Sequence, residues 1–238
     1  MKYQAVLFDL DGTLLPMDFD EFTRGYFSLL AKAVAPLGYE KSKMIGSMWQ
    51  GVAAMTKNEG PRSNFEVFWE VFSALEGKEC YEHISLFDAF YDKEFHEAKS
   101  LTQPTERARE AVAAARACAE RVVLATNPIF PEIAVRSRLA WAGLSADDFD
   151  LVTHYENCAS SKPNPRYYLD IAEQLGLEPS RCLMVGNNAD EDIIPAKAAG
   201  FSTFLLTDCL MSKSETLPDT PKGSWGELMP YFSFEKEK

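Results

Sequence analysis

The chain has 238 residues, of which 46% are hydrophobic and 25% charged, a composition that suits one large globular domain or a core with a substantial insertion. Its formal net charge of −12 argues against binding to nucleic acid or anionic membranes, although a local positive site can still bind an anionic substrate. No run approaches 18 consecutive apolar residues and the chain does not begin like a signal peptide, so we predict no membrane segment and a cytoplasmic location.

Cysteine and histidine usage indicates neither a disulfide framework nor a metal site of thiolate and imidazole ligands. The five cysteines are odd in number and widely scattered, and the three histidines form no i, i+4 pair. We therefore expect reduced thiols, as in a cytosolic protein.

The first predicted element is a short buried strand over residues 4–8, which leads directly into Asp9 and Asp11. Because side chains in a strand repeat with a period of two, we expect the two carboxylates to project from the same side. Two like charges so close together repel each other and resist burial. The pair therefore needs a functional reason.

Residues 17–100, called the cap below, show helical periodicity and no strand-like alternation. A loop with Gly60-Pro61 interrupts the pattern at 56–64. We interpret the cap as an all-helical insertion into a core formed by residues 1–16 and 101–238. Its helices are predicted from Phe19 to near Gly38 and over residues 41–57, 63–76 and 82–98.

Two groups of cap residues could serve substrate binding. The loop carries a cluster of hydrogen-bond donors that could face the site or form a solvated turn, and both interpretations stay open: Lys57, Asn58, Arg62 and Asn64. The aromatic side chains are interpreted as the core of the cap, with a substrate-binding surface as the alternative: Trp49, Phe65, Phe68, Trp69 and Phe72.

After Pro104 predicted strands and helices alternate. Helices are expected over residues 104–120, 131–142, 164–176 and 190–200, strands over 121–126, 150–155, 181–186 and 203–207, and a loop with a short closing helix in the last 25 or so residues. This alternation predicts an α/β fold with a doubly wound parallel sheet. Ligands of such sheets bind beyond the carboxyl ends of the strands.

Polar residues occupy those strand ends. Thr126 and Asn127 follow one strand, Lys162 precedes a helix, and the segment "NNADED" follows Gly186. Together with two aspartates they suit a phosphate ester, because one carboxylate can attack phosphorus while another transfers the proton. A hydroxyl and a lysine can stabilise the transferring phosphoryl group. Mg²⁺ would also relieve the repulsion between the aspartates.

The segments "FDLDGTLL", "LATN", "SKPNP" and "VGNNADEDIIPAKAAG" resemble, in this order and spacing, the four motifs of the haloacid dehalogenase-like (HAD) phosphohydrolase superfamily. The resemblance spans the whole chain and implies a Rossmann-like core with an inserted helical cap. It implies Asp9 as nucleophile, Asp11 as general acid and base, and Thr126 with Asn127 and Lys162 as phosphate ligands. An aspartate at position 11 favours phosphotransfer, because dehalogenases of this superfamily lack it.

The resemblance also implies Mg²⁺ as cofactor, held by the Asp9 carboxylate, the Asp11 carbonyl and the fourth motif. Relatives generally carry an aspartate directly after the position of Gly186 or one position later. This chain has Asn187 and Asn188 there and keeps only the later acid, Asp192. An amide oxygen can bind Mg²⁺ but brings no charge, so we expect weaker metal binding.

These observations predict a Mg²⁺-dependent phosphatase that acts on a small phosphorylated metabolite through an aspartyl-phosphate, as a monomer or weak homodimer. A helical cap that closes over the site would exclude macromolecules. Two alternatives stay open. One is a phosphomutase, and the other is a binding or regulatory protein in which Asn187 and Asn188 have weakened catalysis.

Overall fold

Strand β1 lies in the middle of a six-stranded sheet in the computed structural model of the protein, which describes residues 1–233. The strands are β1 (Tyr3–Phe8), β2 (Ala119–Leu124), β3 (Leu151–Val152), β4 (Cys182–Gly186), β5 (Ser202–Leu206) and β6 (Lys222–Gly223). They are ordered β3-β2-β1-β4-β5-β6 and every pairing is parallel. The chain order reverses between β1 and β4, and the crevice beyond that point is where such sheets bind ligands.

Helices cover both faces of the sheet and form the cap. They are α1 (Phe19–Val34), α2 (Lys41–Thr56), α3 (Asn64–Glu76), α4 (Ile84–Asp92), α5 (Arg107–Cys118), α6 (Glu132–Trp141), α7 (Pro165–Leu175), α8 (Ile194–Ala198) and α9 (Trp225–Ser233). Among these helices none is both long and apolar enough to cross a bilayer. The predicted α/β fold with a doubly wound parallel sheet and a helical insertion is confirmed.

The alternation of side chains along β1 explains why helices pack on both sides. Val6 and Phe8 are fully buried in the larger apolar cluster, which extends into the cap. Ala5 and Leu7 are fully buried in a second cluster on the other face, with side chains of α7. A strand that is apolar on both faces must be covered on both faces.

The cap contacts the core at several places, among them the packing of Phe95 on Trp141 with ring centroids 5.0 Å apart. Two further contacts are formed by backbone and amide groups. At the first, here called the hinge, Met17 bridges to Thr102 and the Gln103 N–H donates to the Pro16 carbonyl at 2.8 Å. The second is the clasp, in which loop 57–64 and the start of α3 bind the core. There Asn64 is fully buried and donates from Nδ2 to the carbonyls of Pro128 and Ser160, both at 3.1 Å.

Several predicted boundaries need correction. The helix predicted over 82–98 is split: α4 ends at Asp92 and a 3₁₀ helix runs from Glu94 to Leu101. The strand predicted over 150–155 is only two residues long, and the helix predicted over 190–200 begins as a π-helical turn at Ala189–Ile193 before α8. The short β6 lies in the segment predicted to be a loop, whereas the closing helix is present as α9.

Candidate active site

A tight turn, and not strand alternation, sets the positions of Asp9 and Asp11. Strand β1 ends at Phe8, and the N–H groups of Thr13 and Leu15 then donate to the Leu10 carbonyl at 3.1 and 2.8 Å. The strand ends before Asp9, so its period of two does not extend to this pair. Both aspartates nevertheless line one cavity, so the turn brings them to the same place.

Gly12 makes this turn possible. Its φ of +85° lies in the region that L side chains rarely adopt, and a Cβ there would lie 2.3 Å from Asn187 Nδ2. The close approach lets the Thr13 hydroxyl donate to Asn187 Oδ1 at 2.9 Å. The same hydroxyl lies 3.3 Å from Asp9 Oδ2. The first motif and the fourth motif thus meet at Thr13.

Lys162 joins the nucleophile candidate to the fourth motif. Its Nζ donates to Asp9 Oδ1 at 2.8 Å and to Asp192 Oδ1 at 2.6 Å, and all three residues are buried. Burial lowers the pKa of Lys162, but Asp192 and Asp9 raise it more, so the net pKa lies well above 10.5 and the lysine stays charged. One positive charge is therefore shared by two carboxylates.

Asp11 binds an arginine that lies outside the four motifs. Arg138 on α6 is fully buried, donates from Nη1 to Asp11 Oδ2 and packs its guanidinium over the Phe130 ring, 4.3 Å from the centroid. Burial raises the pKa of Asp11, Arg138 lowers it and the charge of Asp9 raises it, with a net rise above 3.8. A carboxyl with a raised pKa suits a general acid. Arg138 interrupts the apolar face of α6, between Ala134 and Trp141, and this pattern could have identified it.

Thr126 and Asn127 follow β2 and line the same cavity. Thr126 is 2% exposed, and its carbonyl accepts bonds from the hydroxyls of Thr153 and Tyr167, both at 2.8 Å. Asn127 Nδ2 donates to Glu191 Oε2 at 3.1 Å. Burial raises the pKa of Glu191, an acidic residue of the fourth motif. These contacts hold the end of β2 against the fourth motif.

The fourth motif is held by bonds within the protein. Asn187 Nδ2 donates to the Cys209 carbonyl at 2.6 Å, and Asn188 Oδ1 accepts from the N–H groups of Asp190 and Glu191 at 3.0 and 3.3 Å. Asp192 Oδ2 accepts the Asn188 N–H at 2.9 Å, so both of its oxygens are engaged. Asn188 and Asp192 line the cavity, whereas Asn187 does not and instead accepts the Thr13 hydroxyl.

The four donor residues of the cap loop do not line the cavity. Asn58 Nδ2 donates to the Arg62 carbonyl and to Asn64 Oδ1, both at 2.9 Å, and Asn64 belongs to the clasp. Arg62 forms an exposed ion pair with Glu70, and Lys57 is exposed. The loop therefore binds the cap to the core, and the structure does not bring these donors to the site.

Aromatic side chains of the cap form the other wall of the cavity, whose volume is about 420 Å³. Of the five aromatic residues considered in the sequence, Trp49, Phe68 and Trp69 line it. Phe65 and Phe72 pack against these rings, with Trp69 centroids 6.3 and 5.5 Å away. Both interpretations of the aromatic group hold, since it is the core of the cap and also a surface of the cavity.

The donor set of the site fits a hard divalent cation. Lys162 already faces two carboxylates, so a dianionic phosphate beside Asp9 needs further positive charge. Asp11 Oδ1 and Asn127 Oδ1 are buried acceptors for which the described part of the chain provides no donor. Within residues 1–233 no three Asp, Glu, His or Cys side chains form a ready-made metal site. A set of one or two carboxylates with amide and carbonyl oxygens suits Mg²⁺, which usually keeps several waters.

The chain matches a known protein family. The model of the haloacid dehalogenase-like hydrolases matches residues 3–200. The phosphoglycolate phosphatase of Neisseria gonorrhoeae is 28% identical, over 99% of this chain and 95% of that protein. The pyrophosphatase PpaX of Bacillus velezensis is 25% identical, over 85% of this chain and 82% of that protein.

Solved structures share the fold. An HAD phosphatase from Thermococcus onnurineus aligns with a TM-score of 0.57 and 22% identity, covering 96% of this chain and 97% of that one. A 2-haloacid dehalogenase from Pseudomonas syringae aligns with a TM-score of 0.62 and 19% identity, covering 97% and 98%. At these identities the likeness concerns the fold alone.

Proposed function

The chain belongs to the haloacid dehalogenase-like hydrolases, and from that membership we propose that it is a phosphatase that hydrolyses the phosphate monoester of a small molecule. The observation that carries the proposal is the buried contact of Lys162 with Asp9 at 2.8 Å in the wall of the cavity. The similarity to phosphoglycolate phosphatases over 99% of the chain supports the same reaction class.

The five cysteines are free thiols, which supports a reducing, cytoplasmic location. A monomer or weak homodimer stays a prediction.

In the first step, Asp9 attacks phosphorus and the bond between phosphorus and the alcohol oxygen breaks. Lys162 binds Asp9 Oδ1 at 2.8 Å, whereas the contact of Oδ2 with the Thr13 hydroxyl is longer at 3.3 Å, so we assign Oδ2 to the attack. Asp11, whose pKa is raised by burial, donates its proton to the leaving alcohol. The products of this step are the free alcohol and a phosphoryl group on Asp9.

In the second step, Asp11 accepts a proton from water as the water oxygen attacks phosphorus. The bond between phosphorus and the Asp9 oxygen breaks, inorganic phosphate forms and the Asp9 carboxylate is restored. Thr126 and Asn127 line the cavity and would bind phosphoryl oxygens in both steps, and Lys162 would neutralise part of their charge. Arg138 holds Asp11 in place throughout.

We propose Mg²⁺ as the cofactor. The Asp9 carboxylate, the Asp11 backbone carbonyl and an amide oxygen of Asn187 or Asn188 would hold it, and when bound it would supply positive charge to the phosphoryl oxygens. Both oxygens of Asp192 are engaged by Lys162 and by the Asn188 N–H. We therefore assign Asp192 the role of positioning Lys162.

The test is phosphate release from para-nitrophenyl phosphate with Mg²⁺ titrated. We expect Mg²⁺-dependent turnover by the wild type and a loss of at least about a thousandfold in Asp9→Asn, because the nucleophile is removed. The matched control is Asp92→Asn, an exposed aspartate of the cap. Equal rates for Asp9→Asn and the wild type would contradict the assignment of the nucleophile.

One observation favours the alternative of a binding protein. The side chains of Asn187 and Asn188 are held by bonds within the protein, and neither brings the charge that a metal site gains from a carboxylate. If the wild type releases no phosphate at any Mg²⁺ concentration, the proposed activity is wrong and the binding function replaces it.

A further inference from the structure

The cavity beside the phosphate site has an aromatic wall, called the aromatic chamber below. The cap contributes nine aromatic residues to the lining, including Phe22, Tyr26, Trp49, Phe68, Trp69 and Phe87. The volume of about 420 Å³ falls within the roughly 300–1,000 Å³ usual for small-molecule pockets. The chamber therefore has room for an organic group larger than the phosphate itself.

The rings of the aromatic chamber are packed against each other and form a defined surface. Trp69 and Phe87 have centroids 5.4 Å apart at an interplanar angle of 83°, and Phe27 lies 5.5 Å from Trp49. The first pair is edge-to-face, a favourable geometry for aromatic rings, and the second is tilted at 57°. The chamber thus offers ring faces and edges for contact with an apolar group.

The polar tips of these rings bond to each other. The hydroxyls of Tyr26 and Tyr91 are 2.7 Å apart, and Trp69 Nε1 donates to the Tyr155 hydroxyl at 3.4 Å. Burial raises the pKa of Tyr26 and Tyr91, so both phenols stay neutral at ordinary pH. The Tyr26–Tyr91 pair therefore has one hydroxyl proton left for a substrate, and most of the cap wall is apolar.

The charges of the cavity lie on its core side. Among the described residues that line it, the cationic ones are Lys162 and Lys213, and the cap contributes no charged side chain. Lys162 already binds two carboxylates. Arg138 contacts Asp11 and Phe130 but does not itself line the cavity. A second anionic group in the part of the chamber formed by the cap would therefore meet no cationic side chain of the lining, and an unpaired charge in an apolar pocket is costly.

From this distribution we propose that the substrate is a phosphate monoester of an uncharged alcohol that carries an apolar ring. The phosphate would lie against Asp9 and Lys162, and the ring would lie in the aromatic chamber. This inference rests on the proposed phosphatase function and narrows it. It separates this chain from enzymes whose substrate carries a carboxylate or a second phosphate next to the ester.

The test compares three primary-alcohol esters: 3-phenylpropyl phosphate, propyl phosphate and 3-phosphooxypropionate. All three release a primary alcohol, so differences in kcat/KM report mainly the group remote from the ester. We expect 3-phenylpropyl phosphate to exceed propyl phosphate at least about tenfold, because the ring is buried in the chamber. The carboxylate ester should be the poorest of the three substrates.

Two variants test whether the preference for the phenylpropyl ester comes from the aromatic chamber. Trp49 lines the chamber but is 46% exposed, so Trp49→Ala should fold, and the control is Tyr81→Ala, which is 47% exposed in the cap and outside the cavity. Trp49→Ala should reduce the ratio of kcat/KM for phenylpropyl over propyl phosphate at least about threefold, because a ring contact is lost. Tyr81→Ala should keep the wild-type ratio, and an equal change in both variants would overturn the assignment of the chamber.

A binding measurement separates this inference from the proposed function. If the wild type hydrolyses propyl phosphate or the carboxylate ester as well as the phenylpropyl ester, the inference is wrong and the phosphatase function stands. If no ester is hydrolysed, the phosphatase function is wrong, and calorimetry on Asp9→Asn then decides the inference. Binding of phenylpropyl phosphate at least about tenfold tighter than propyl phosphate supports it, and equal binding overturns it.

Discussion

A buried arginine controls the environment of Asp11. Arg138 is fully buried, donates to Asp11 Oδ2 and also donates from Nε to the Ala134 carbonyl at 3.2 Å. Asp11 has to exist in both protonation states if it is first to give and then to accept a proton. The cation beside it favours the charged form, while burial favours the neutral form. We therefore regard Arg138 as a positioning residue for Asp11.

Replacement of Arg138 by Met should separate the two chemical steps. Without the guanidinium the pKa of Asp11 rises further, so Asp11 can still donate a proton but rarely accepts one. We expect kcat to fall about 10–100-fold, with a burst of alcohol release as the phosphorylated enzyme accumulates. Stopped-flow measurement of the alcohol checks this, with Arg136→Met on the exposed face of α6 as control. Partial recovery in Arg138→Lys would support an electrostatic role, and an unchanged kcat in Arg138→Met would contradict it.

The two asparagines of the fourth motif should respond differently to an added carboxylate. Asn187 contacts the Thr13 hydroxyl next to Asp9, whereas Asn188 Oδ1 faces the N–H groups of residues 190 and 191. We expect Asn187→Asp to lower the Mg²⁺ concentration for half-maximal activity roughly tenfold, equivalent to about 1.4 kcal/mol. In Asn188→Asp the change should be smaller.

A stability measurement accompanies this titration. In Asn187→Asp an oxygen replaces the Nδ2 that donates to the Cys209 carbonyl at 2.6 Å, so without metal the variant should lose about 1–3 kcal/mol of unfolding free energy. Added Mg²⁺ should restore much of it. Thermal melts with Mg²⁺ or with chelator report this, and a melt of Asn187→Asp that is insensitive to Mg²⁺ would exclude this residue as a ligand.

Among the secondary-structure elements, α5, β2 and the start of β3 are joined by one carboxylate. Asp150 accepts bonds from Arg116 Nη1 at 2.6 Å, Arg121 Nη1 at 3.2 Å and the Val122 N–H at 2.8 Å. Burial raises the pKa of Asp150, but the Val122 N–H and Arg116 lower it more, so the net pKa lies below 3.8. A carboxyl whose folded-state pKa is depressed stabilises the fold above its unfolded pKa.

The contribution of the Asp150 carboxylate to the free energy of unfolding should therefore disappear at acidic pH. At pH 7 we expect Asp150→Asn to lose about 1–2 kcal/mol of unfolding free energy, because charged hydrogen bonds are replaced. As the pH falls from the unfolded value of 3.8 through the lower folded value, the difference from the wild type should shrink. Urea titrations between neutral and acidic pH measure it, with the exposed Asp147→Asn as control. A difference that stays constant down to acidic pH would contradict this explanation.

Sequence patterns predicted the elements well where local signals agree. The helix 164–176 was predicted from its periodicity and final glycine, and α7 runs from Pro165 to Leu175 with Asn164 as its N-cap and Gly176 in the left-handed region. The break at Lys93, which splits the predicted helix 82–98, has φ −126° and ψ −86°. No glycine or proline marks it, and the burial of Phe95 two residues later is a tertiary feature that a local pattern does not reveal.

The site was less predictable than the strands that carry it. Residues at strand ends were identified because a parallel sheet brings its carboxyl ends together. The role of the hydrogen-bond donors in the cap loop could not be predicted from the sequence. A polar loop that binds the core has the same residue types as a loop that binds a ligand. Asn64 is a clear case, since its polarity serves the Pro128 and Ser160 carbonyls.

For the molecule as a whole, the clasp should contribute to stability well beyond one side chain. Asn64→Ala removes the donor to two core carbonyls and the acceptor of Asn58 Nδ2, so we expect a loss of about 2–3 kcal/mol of unfolding free energy. Hydrogen exchange should quicken at the Asn64 and Phe65 amides, which donate to the carbonyls of Cys158 and Tyr155. Ser63→Ala, which removes only the helix cap of α3, is the control. Equal exchange in both variants would refute the clasp.

Attachment at both hinge and clasp has a consequence for the speed of the catalytic cycle. Asp9 is 7% exposed and Lys162 1%, so we expect the entry of ester and the exit of phosphate to involve a separation of the cap from the core. Such a separation is a displacement of one body through solvent, and friction with that solvent slows it. In a medium thickened with sucrose, turnover of a good ester should therefore fall as viscosity rises, whereas a slow ester limited by bond cleavage should be indifferent.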